Sequence, residues 1–279
     1  MEKRSFGFTR RDLPIIGQGT WQILTAGRRA AVAALQRGIE LGMTHIDTAE
    51  MYEGAEEIIA EAIAGRRDDV YVVSKVLPQN ASRRAAITAC ERSLARLGIE
   101  KLDCYLLHWR GKHPLEETIA AFDELERQGK ILAWGVSNFD VPDLEKVIGI
   151  AGEGRIACNQ VLYHLNERAI EHAVLPWCAE HGVALVGYSP FGHGGFPAPR
   201  SPEGRVLDTI AAAHGATARQ VVLAFLVRRA PLFAIPKASR IDHATENARA
   251  GDLRLTADEC AQIERAFPLG RPPRDLPMA

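Results

Sequence analysis

Short, continuously apolar runs recur along the chain, and the intervals between them carry helical periods. The runs at 17–21, 44–47, 70–75, 104–108, 133–137, 158–162, 184–188 and 233–236 predict eight β-strands. They do not alternate between apolar and polar; segments 102–107 and 183–186 suggest strands covered on both faces, as in a parallel sheet. Between residues 82 and 98, Ile87, Cys90, Leu94 and Leu97 fall at steps of three and four, with Ser82 as a candidate N-cap and Gly98 as a C′ glycine. Leu115, Ile119, Phe122 and Leu125 repeat the pattern within 114–129, and 56–63, 169–181 and 218–229 are further helical candidates. Most strand ends lie about 30 residues apart, the length of one βα unit. Alternating β and α at that spacing predicts a parallel sheet flanked by helices, and eight strands favour closure into a (β/α)8 TIM barrel.

The remaining segments fit around that plan. The two halves of 6–16, on either side of Arg10–Asp12, predict an N-terminal β-hairpin capping the barrel floor. The Gly- and Pro-rich stretch 191–205 follows the seventh strand, which places it on the rim where barrel active sites form. The short tail after Phe267 contains Pro268, Pro272, Pro273 and Pro277 and is expected to drape over the surface. No linker divides the chain, so residues 1–279 are expected to form a single domain, close to the roughly 250 residues typical of such a barrel.

Composition narrows the function classes. Hydrophobic residues make up 47% and charged residues 25%, and the formal net charge is −1. Nothing there favours nucleic acid or a membrane surface. No apolar run approaches the roughly 18 residues of a membrane span. Cys90, Cys104, Cys158, Cys178 and Cys260 are odd in number, widely spaced and without a Cys-x-x-Cys pair, which reads as reduced thiols in a cytoplasmic protein. His113, His164 and His193 show no metal-ligand spacing. Gly17-Gln18-Gly19 is not a dinucleotide fingerprint, because Gln22 stands where the third glycine belongs.

The chemistry gathers at strand ends. Asp47, Lys75 and His108 close three consecutive predicted strands, and Tyr52 follows Asp47 by five residues. Neighbouring strands lie about 4.8 Å apart, so these side chains can meet. A phenol has an ordinary pKa near 10 and needs help to act as an acid at neutral pH; an adjacent Lys75 ammonium, fixed by Asp47, is expected to lower it. His108 would orient a carbonyl oxygen while Tyr52 protonates it. No side chain delivers hydride, so a nicotinamide cofactor is implied. Two other readings stay open: a Schiff-base reaction at Lys75 or Lys237, and a non-catalytic barrel that binds nucleotide and signals to a partner.

Further segments carry a family resemblance. Asp47-Thr48-Ala49-Glu50-Met51-Tyr52 followed by Ala55-Glu56-Glu57-Ile58-Ile59, with Gly19-Thr20-Trp21, Leu107-His108-Trp109, Trp134-Gly135-Val136-Ser137-Asn138-Phe139, Asn159-Gln160, Tyr188-Ser189-Pro190 and Ile235-Pro236-Lys237, resembles the aldo-keto reductase signature. The matches run in family order from about residue 13 to residue 247. The segment His108-Trp109-Arg110-Gly111 and the short tail are most similar to bacterial members of the methylglyoxal and general aldehyde reductase type. The resemblance implies reduction of small-molecule aldehydes and ketones by NADP(H), in a monomer, with Tyr52 as general acid, Lys75 and Asp47 as its tuning pair, and His108 as carbonyl orienter. It implies that Ser137, Asn138 and Gln160 hold the nicotinamide carboxamide, that Tyr188 stacks on the ring, and that Ser189, Pro190, Phe191 and Gly192 follow the pyrophosphate. Gly19, Thr20, Asp47, Ile235 and Pro236 belong to the same berth, and Lys237, Ala238, Ser239, Arg240, His243, Glu246 and Asn247 to its adenosine end. Trp21, Tyr52, His108, Trp109 and Arg110 would meet the substrate. Family members specific for NADPH commonly carry Ser and Arg where this chain has Ala238 and His243. That departure leaves room for NAD(H) at lower preference, since arginine is the better phosphate partner.

Overall fold

The computed structural model describes residues 1–192 and 194–278. His193, weighed above against a metal-ligand role, lies outside the described residues. The chain opens with an antiparallel hairpin, β1 (Lys3–Ser5) and β2 (Asp12–Pro14), paired Lys3 to Pro14 and Ser5 to Asp12. The turn spans residues 6–11, including a short 3-10 segment at Gly7–Thr9, so the strands lie farther apart in sequence than the pattern predicts. Arg10, at φ 56°, reverses the chain. Phe6 is the reason for the wider turn. It is fully buried, and its ring lies 5.5 Å from that of His45 and 5.3 Å from those of Tyr71 and Phe233. The hairpin thus plugs the barrel floor with an aromatic side chain.

Eight parallel strands follow: β3 (Gln18–Gly19), β4 (His45–Asp47), β5 (Tyr71–Val76), β6 (Cys104–Leu107), β7 (Trp134–Ser137), β8 (Ile156–Leu162), β9 (Ala184–Tyr188) and β10 (Leu232–Ala234), each paired with its sequence neighbour. The seam between β3 and β10 is closed by parallel bridges Ile16–Ala234 and Gly19–Lys237. Gly17 N–H donates to Ala234 C=O at 2.8 Å, and Ala234 N–H to Ile15 C=O at 2.9 Å. Gly19 is required at this seam, because a Cβ there would meet the Ile235 carbonyl oxygen at 2.6 Å. The predicted (β/α)8 barrel is therefore the observed fold. The strands are buried along almost their whole length, which explains their continuous apolar runs.

The helices are α1 (Arg28–Glu40), α2 (Ala55–Ala62), α3 (Arg83–Leu97), α4 (Leu115–Arg127), α5 (Val141–Ala151), α6 (Val174–Glu180), α7 (Pro202–Ala213), α8 (Ala218–Leu226), α9 (Ile241–Ala250) and α10 (Ala257–Ala266). Gly98 ends α3 in the left-handed conformation at φ 63°, as read from sequence, whereas Ser82 takes the N-cap backbone conformation without a side-chain bond. The segment read as one helix at 169–181 is broken into a 3-10 turn, Ala169–Glu171, and α6. Glu171 is drawn aside there to meet Arg168, Arg228 and Arg229. Among its described residues, the 191–205 insertion forms no helix or strand before Ser201. That serine accepts a 2.9 Å bond from Gly204 N–H and starts α7.

Candidate active site

The chemistry-bearing side chains sit where the strands end, on the rim opposite the hairpin. Asp47 is the last residue of β4 and pairs in register with Gly19 and Val73. Lys75 lies one residue before the end of β5 rather than at it, with its side chain fully buried. Its Nζ donates to Asp47 Oδ1 at 2.5 Å and to the Thr48 carbonyl at 2.7 Å. The second Asp47 oxygen accepts a 2.7 Å bond from Gln160 Nε2, which reaches across from β8. Both carboxylate oxygens are satisfied, as a buried charge demands. Tyr52 is fixed by its turn: its N–H donates to Ala49 C=O, and its carbonyl accepts from Ala55 N–H, both at 3.0 Å. Lys75 Nζ lies 5.0 Å from the Tyr52 ring centroid. The His108 ring meets the Tyr52 ring nearly edge-on at 5.7 Å and the Trp109 ring at 4.8 Å.

Charge states follow from this packing. Burial alone would lower the Lys75 pKa, but the Asp47 charge and hydrogen bond, together with Tyr52, carry it above its ordinary value, so the ammonium stays protonated. Burial pushes the Tyr52 phenol upward; Lys75 pulls it back only in part, and Asp47 adds to the rise. This corrects the expectation that Lys75 lowers the phenol below its usual value: burial outweighs the ammonium. Burial, then the Lys75 charge, lowers His108 to about 2, so its imidazole is neutral. Its Nδ1 is buried and has no hydrogen-bond partner among the described residues.

A cavity of about 710 Å³ opens at this rim. Gly19, Thr20 and Trp21 line it from the first barrel strand and the residues after it, Asp47 and Tyr52 from the β4 unit, and His108 and Trp109 from the β6 unit. Ser137, Asn138 and Gln160 face it, as do Tyr188, Ser189, Pro190, Phe191 and Gly192. Ile235 and Lys237 complete the far end. Asn138 and Ser189 hold left-handed backbones at φ 62° and 50°, rare for residues other than glycine. Asn138 Nδ2 donates to the His108 carbonyl at 3.1 Å, while its Oδ1 accepts from Tyr188 Oη at 2.9 Å. Side-chain amides and an aromatic ring therefore share one wall.

The remaining predicted residues stand beyond or behind the cavity. Lys75 lies beneath Asp47 and Tyr52. Pro236, Ala238, Ser239 and Arg240 follow β10, and His243, Glu246 and Asn247 lie on α9. Lys237 Nζ donates to Thr25 Oγ1 at 3.3 Å, and no carboxylate pairs with it among the described residues. Such a cation suits a phosphate. Ser239 is buried with its Oγ 3.1 Å from Thr25 Oγ1, and Arg240 pairs with Asp242 at 3.1 Å. Glu246 accepts the Thr217 hydroxyl at 2.6 Å. Arg110 stands outside the lining and turns back to the Gly111 and His113 carbonyls, each at 2.8 Å. Four lining residues escaped sequence reasoning: Gln22, Met51, Gly194 and Met278. Gln22, Met51 and Gly194 lie within two residues of named site residues, Trp21, Tyr52 and Gly192. The tail after Phe267 is expected to build part of the pocket, but the sequence does not give its path, so Met278 is not singled out.

The chain matches the Aldo/keto reductase family over residues 15–267. Methylglyoxal reductase YeaE of Escherichia coli (strain K12) is 45% identical over 261 residues, covering 92% of each chain. An aldo-keto reductase from Klebsiella pneumoniae, solved in complex with NADPH, aligns with a TM-score of 0.93 at 44% identity and covers 100% of both chains. The thermostable aldo-keto reductase Tm1743, solved with the inhibitor epalrestat, aligns with a TM-score of 0.88 at 38% identity, over 95% of this chain and 100% of that one. With this extent of match and a barrel rim that gathers Asp47, Tyr52, Lys75 and His108, the chain belongs to the aldo/keto reductase family.

Proposed function

We propose that the protein reduces small aldehydes and ketones, 2-oxoaldehydes among them, with NADPH as hydride donor and Tyr52 as proton donor. The observation that carries this is the buried Asp47–Lys75 pair beneath Tyr52, beside a neutral His108, in a cavity that also presents amides, an aromatic face and Lys237, which among the described residues has no carboxylate partner. The name of the 45% identical relative supports the substrate class, and the NADPH complex of the Klebsiella protein supports the cofactor.

When bound, the reduced nicotinamide supplies hydride to the carbonyl carbon. Asn138 and Gln160 offer amide groups to its carboxamide, and Tyr188 an aromatic face to its ring. His108, uncharged, donates one hydrogen bond to the carbonyl oxygen and polarises it without surrendering a proton. Tyr52 Oη delivers the proton as negative charge develops on that oxygen, and Lys75 stabilises the phenolate left behind. Asp47 keeps Lys75 charged and in place. The same pairing disfavours a Schiff base at Lys75, because a nucleophilic lysine must be neutral. Trp21, Trp109, Met51 and Met278 bound the substrate end.

NADPH is preferred over NADH in this reading, moderated by Ala238 and His243. A cytoplasmic monomer completes it, supported by the family and by cysteines that are all free and mostly buried; size-exclusion chromatography with light scattering tests the monomer. Among the described residues no helix is long and apolar enough to cross a membrane.

The decisive experiment is Tyr52→Phe. We expect kcat for an aldehyde to fall by about 10²–10⁴-fold with NADPH binding retained. Turnover within a few-fold of wild type would remove Tyr52 from the role of proton donor.

A further inference from the structure

Arg219 occupies the first turn of α8. A cation there opposes the helix dipole, and no carboxylate pairs with it among the described residues. Its guanidinium instead lies 4.9 Å from the ring centroid of Phe191 and 4.6 Å from that of Phe196. The two rings meet edge to face at 5.9 Å. Phe191 lines the active-site cavity, whereas Phe196 and Arg219 line a separate recess of about 370 Å³.

The loop carrying both rings forms no described strand or helix between Tyr188 and Pro202, and Gly192 and Gly194 take positive φ. Among the described residues, Asn166 Nδ2 reaches its Gly195 carbonyl at 3.2 Å. The helix beneath is firmly set by contrast. Thr217 Oγ1 donates to Glu246 Oε1 at 2.6 Å, and Gln220 Nε2 to the Glu246 carbonyl at 2.9 Å. Arg219 therefore projects from a fixed post onto a loop whose described internal backbone bonds run from Gly192 N–H to Ser189 C=O at 2.8 Å and from Ser201 N–H to Ala198 C=O at 2.9 Å. A planar guanidinium can lie on aromatic faces in a way an ammonium cannot.

We propose that Arg219 is a positioning residue for the dinucleotide: by stacking on Phe191 and Phe196 it holds their loop as a fixed wall of the cofactor channel and slows dinucleotide release. This rests on the reading that the cavity takes NADPH.

The test is direct binding of NADPH, by quenching of intrinsic tryptophan fluorescence at equilibrium and in stopped flow. Arg219→Ala is expected to raise Kd by about five- to tenfold, mostly through faster dissociation. KM for NADPH should rise in step while kcat does not fall. Arg219→Lys should be intermediate. Phe196→Ala should act in the same direction, and the Arg219→Ala/Phe196→Ala double variant should be no weaker in binding than Arg219→Ala alone, as for residues acting as one unit. A residue that served only folding would shift the melting temperature and leave the dissociation rate alone. Wild-type Kd and dissociation rate in Arg219→Ala, or fully additive single effects, would overturn the proposal. If Arg219→Ala does not fold, Phe196→Ala and Arg219→Lys carry the same comparison. Failure of the wild-type protein to bind NADPH would instead overturn the cofactor reading beneath it.

Discussion

At the scale of single residues, the site rests on one buried ion pair. Removing one partner strands the other charge without solvent, a loss of about 3–5 kcal/mol, whereas replacing both with neutral groups can be close to neutral. Asp47→Asn should therefore destabilise the protein by roughly that amount, and Asp47→Asn/Lys75→Met should recover most of it while remaining inactive. Urea unfolding of the three proteins, set against their turnover, checks both halves; a double variant as unstable as the single one would mean that the pair does not act as a unit. The Tyr52 phenol lies above its ordinary value, so turnover should not be lost through this group until alkaline pH. At the proposed adenosine end, His243 is exposed in the first turn of α9. His243→Arg should tighten NADPH several-fold and leave NADH nearly unchanged, as fluorescence titration with each cofactor would measure; equal tightening of both would place residue 243 away from the 2′-phosphate. The four catalytic candidates were legible because each follows an apolar run. The direction of the Tyr52 shift was not, since burial depends on packing that no local pattern records.

Not every element was legible: the helical pattern missed α5, which buries Leu144 and Val147, and α7, which buries Leu207 and Ile210, as well as helices that pack through small residues. The helices α3 and α4 announce themselves by Leu, Ile and Phe at steps of three and four. By contrast α9 buries Ala244, Ala248 and Ala250 beside Asn247, and α10 buries only Ile263, so neither shows a clear hydrophobic stripe. The break at 169–181 was hidden for another reason: Glu171 serves a cluster drawn from the residue after β8, the segment before α6 and the residues after α8, with Tyr163, Arg168 and Arg228 all bonded to it. At α8 the capping box is explicit, Thr217 accepting from Gln220 N–H while Gln220 closes back on the Thr217 N–H. Thr217 also holds Glu246. Thr217→Ala should cost about 1 kcal/mol and weaken NADPH binding, because the helix that carries Glu246 and Asn247 loses a tie. Thermal melts and binding titrations separate the two effects; a stability loss with wild-type binding would confine Thr217 to capping.

At the scale of the whole molecule, the barrel encloses groups whose protonation the folded state disfavours, and this sets its response to acid. His45 lies at the floor, fully buried, with neither ring nitrogen hydrogen-bonded among the described residues. Burial, aided by the Lys75 charge, lowers it to about 3. At the rim His108 is lowered further, to about 2. Both are neutral in the folded barrel at a pH where the unfolded chain, with an ordinary histidine near 6.5, takes up a proton. The unfolded state thus binds more protons, and stability falls as pH drops below about 6.5, by about 1.4 kcal/mol per pH unit for each such group. Glu171 adds to the same slope. Although burial works to raise it, bonds from Arg168, Tyr163 and Arg228 bring it down to about 2, so its contribution is present above about 4.5 and is lost as pH falls toward 2. All three act in one direction, and the protein should be markedly acid-labile despite its compact core. The floor histidine isolates the effect, since it takes no part in the proposed chemistry. Leucine is close to histidine in volume, and at His45 no hydrogen bond would be lost. His45→Leu should be as stable as wild type or more so near pH 7. Between pH 6.5 and 3 its stability should decline less steeply, by one proton's worth. Urea midpoints measured at intervals across that range give the slope; parallel curves for the two proteins would mean that His45 ionises within the folded barrel and does not govern its acid sensitivity.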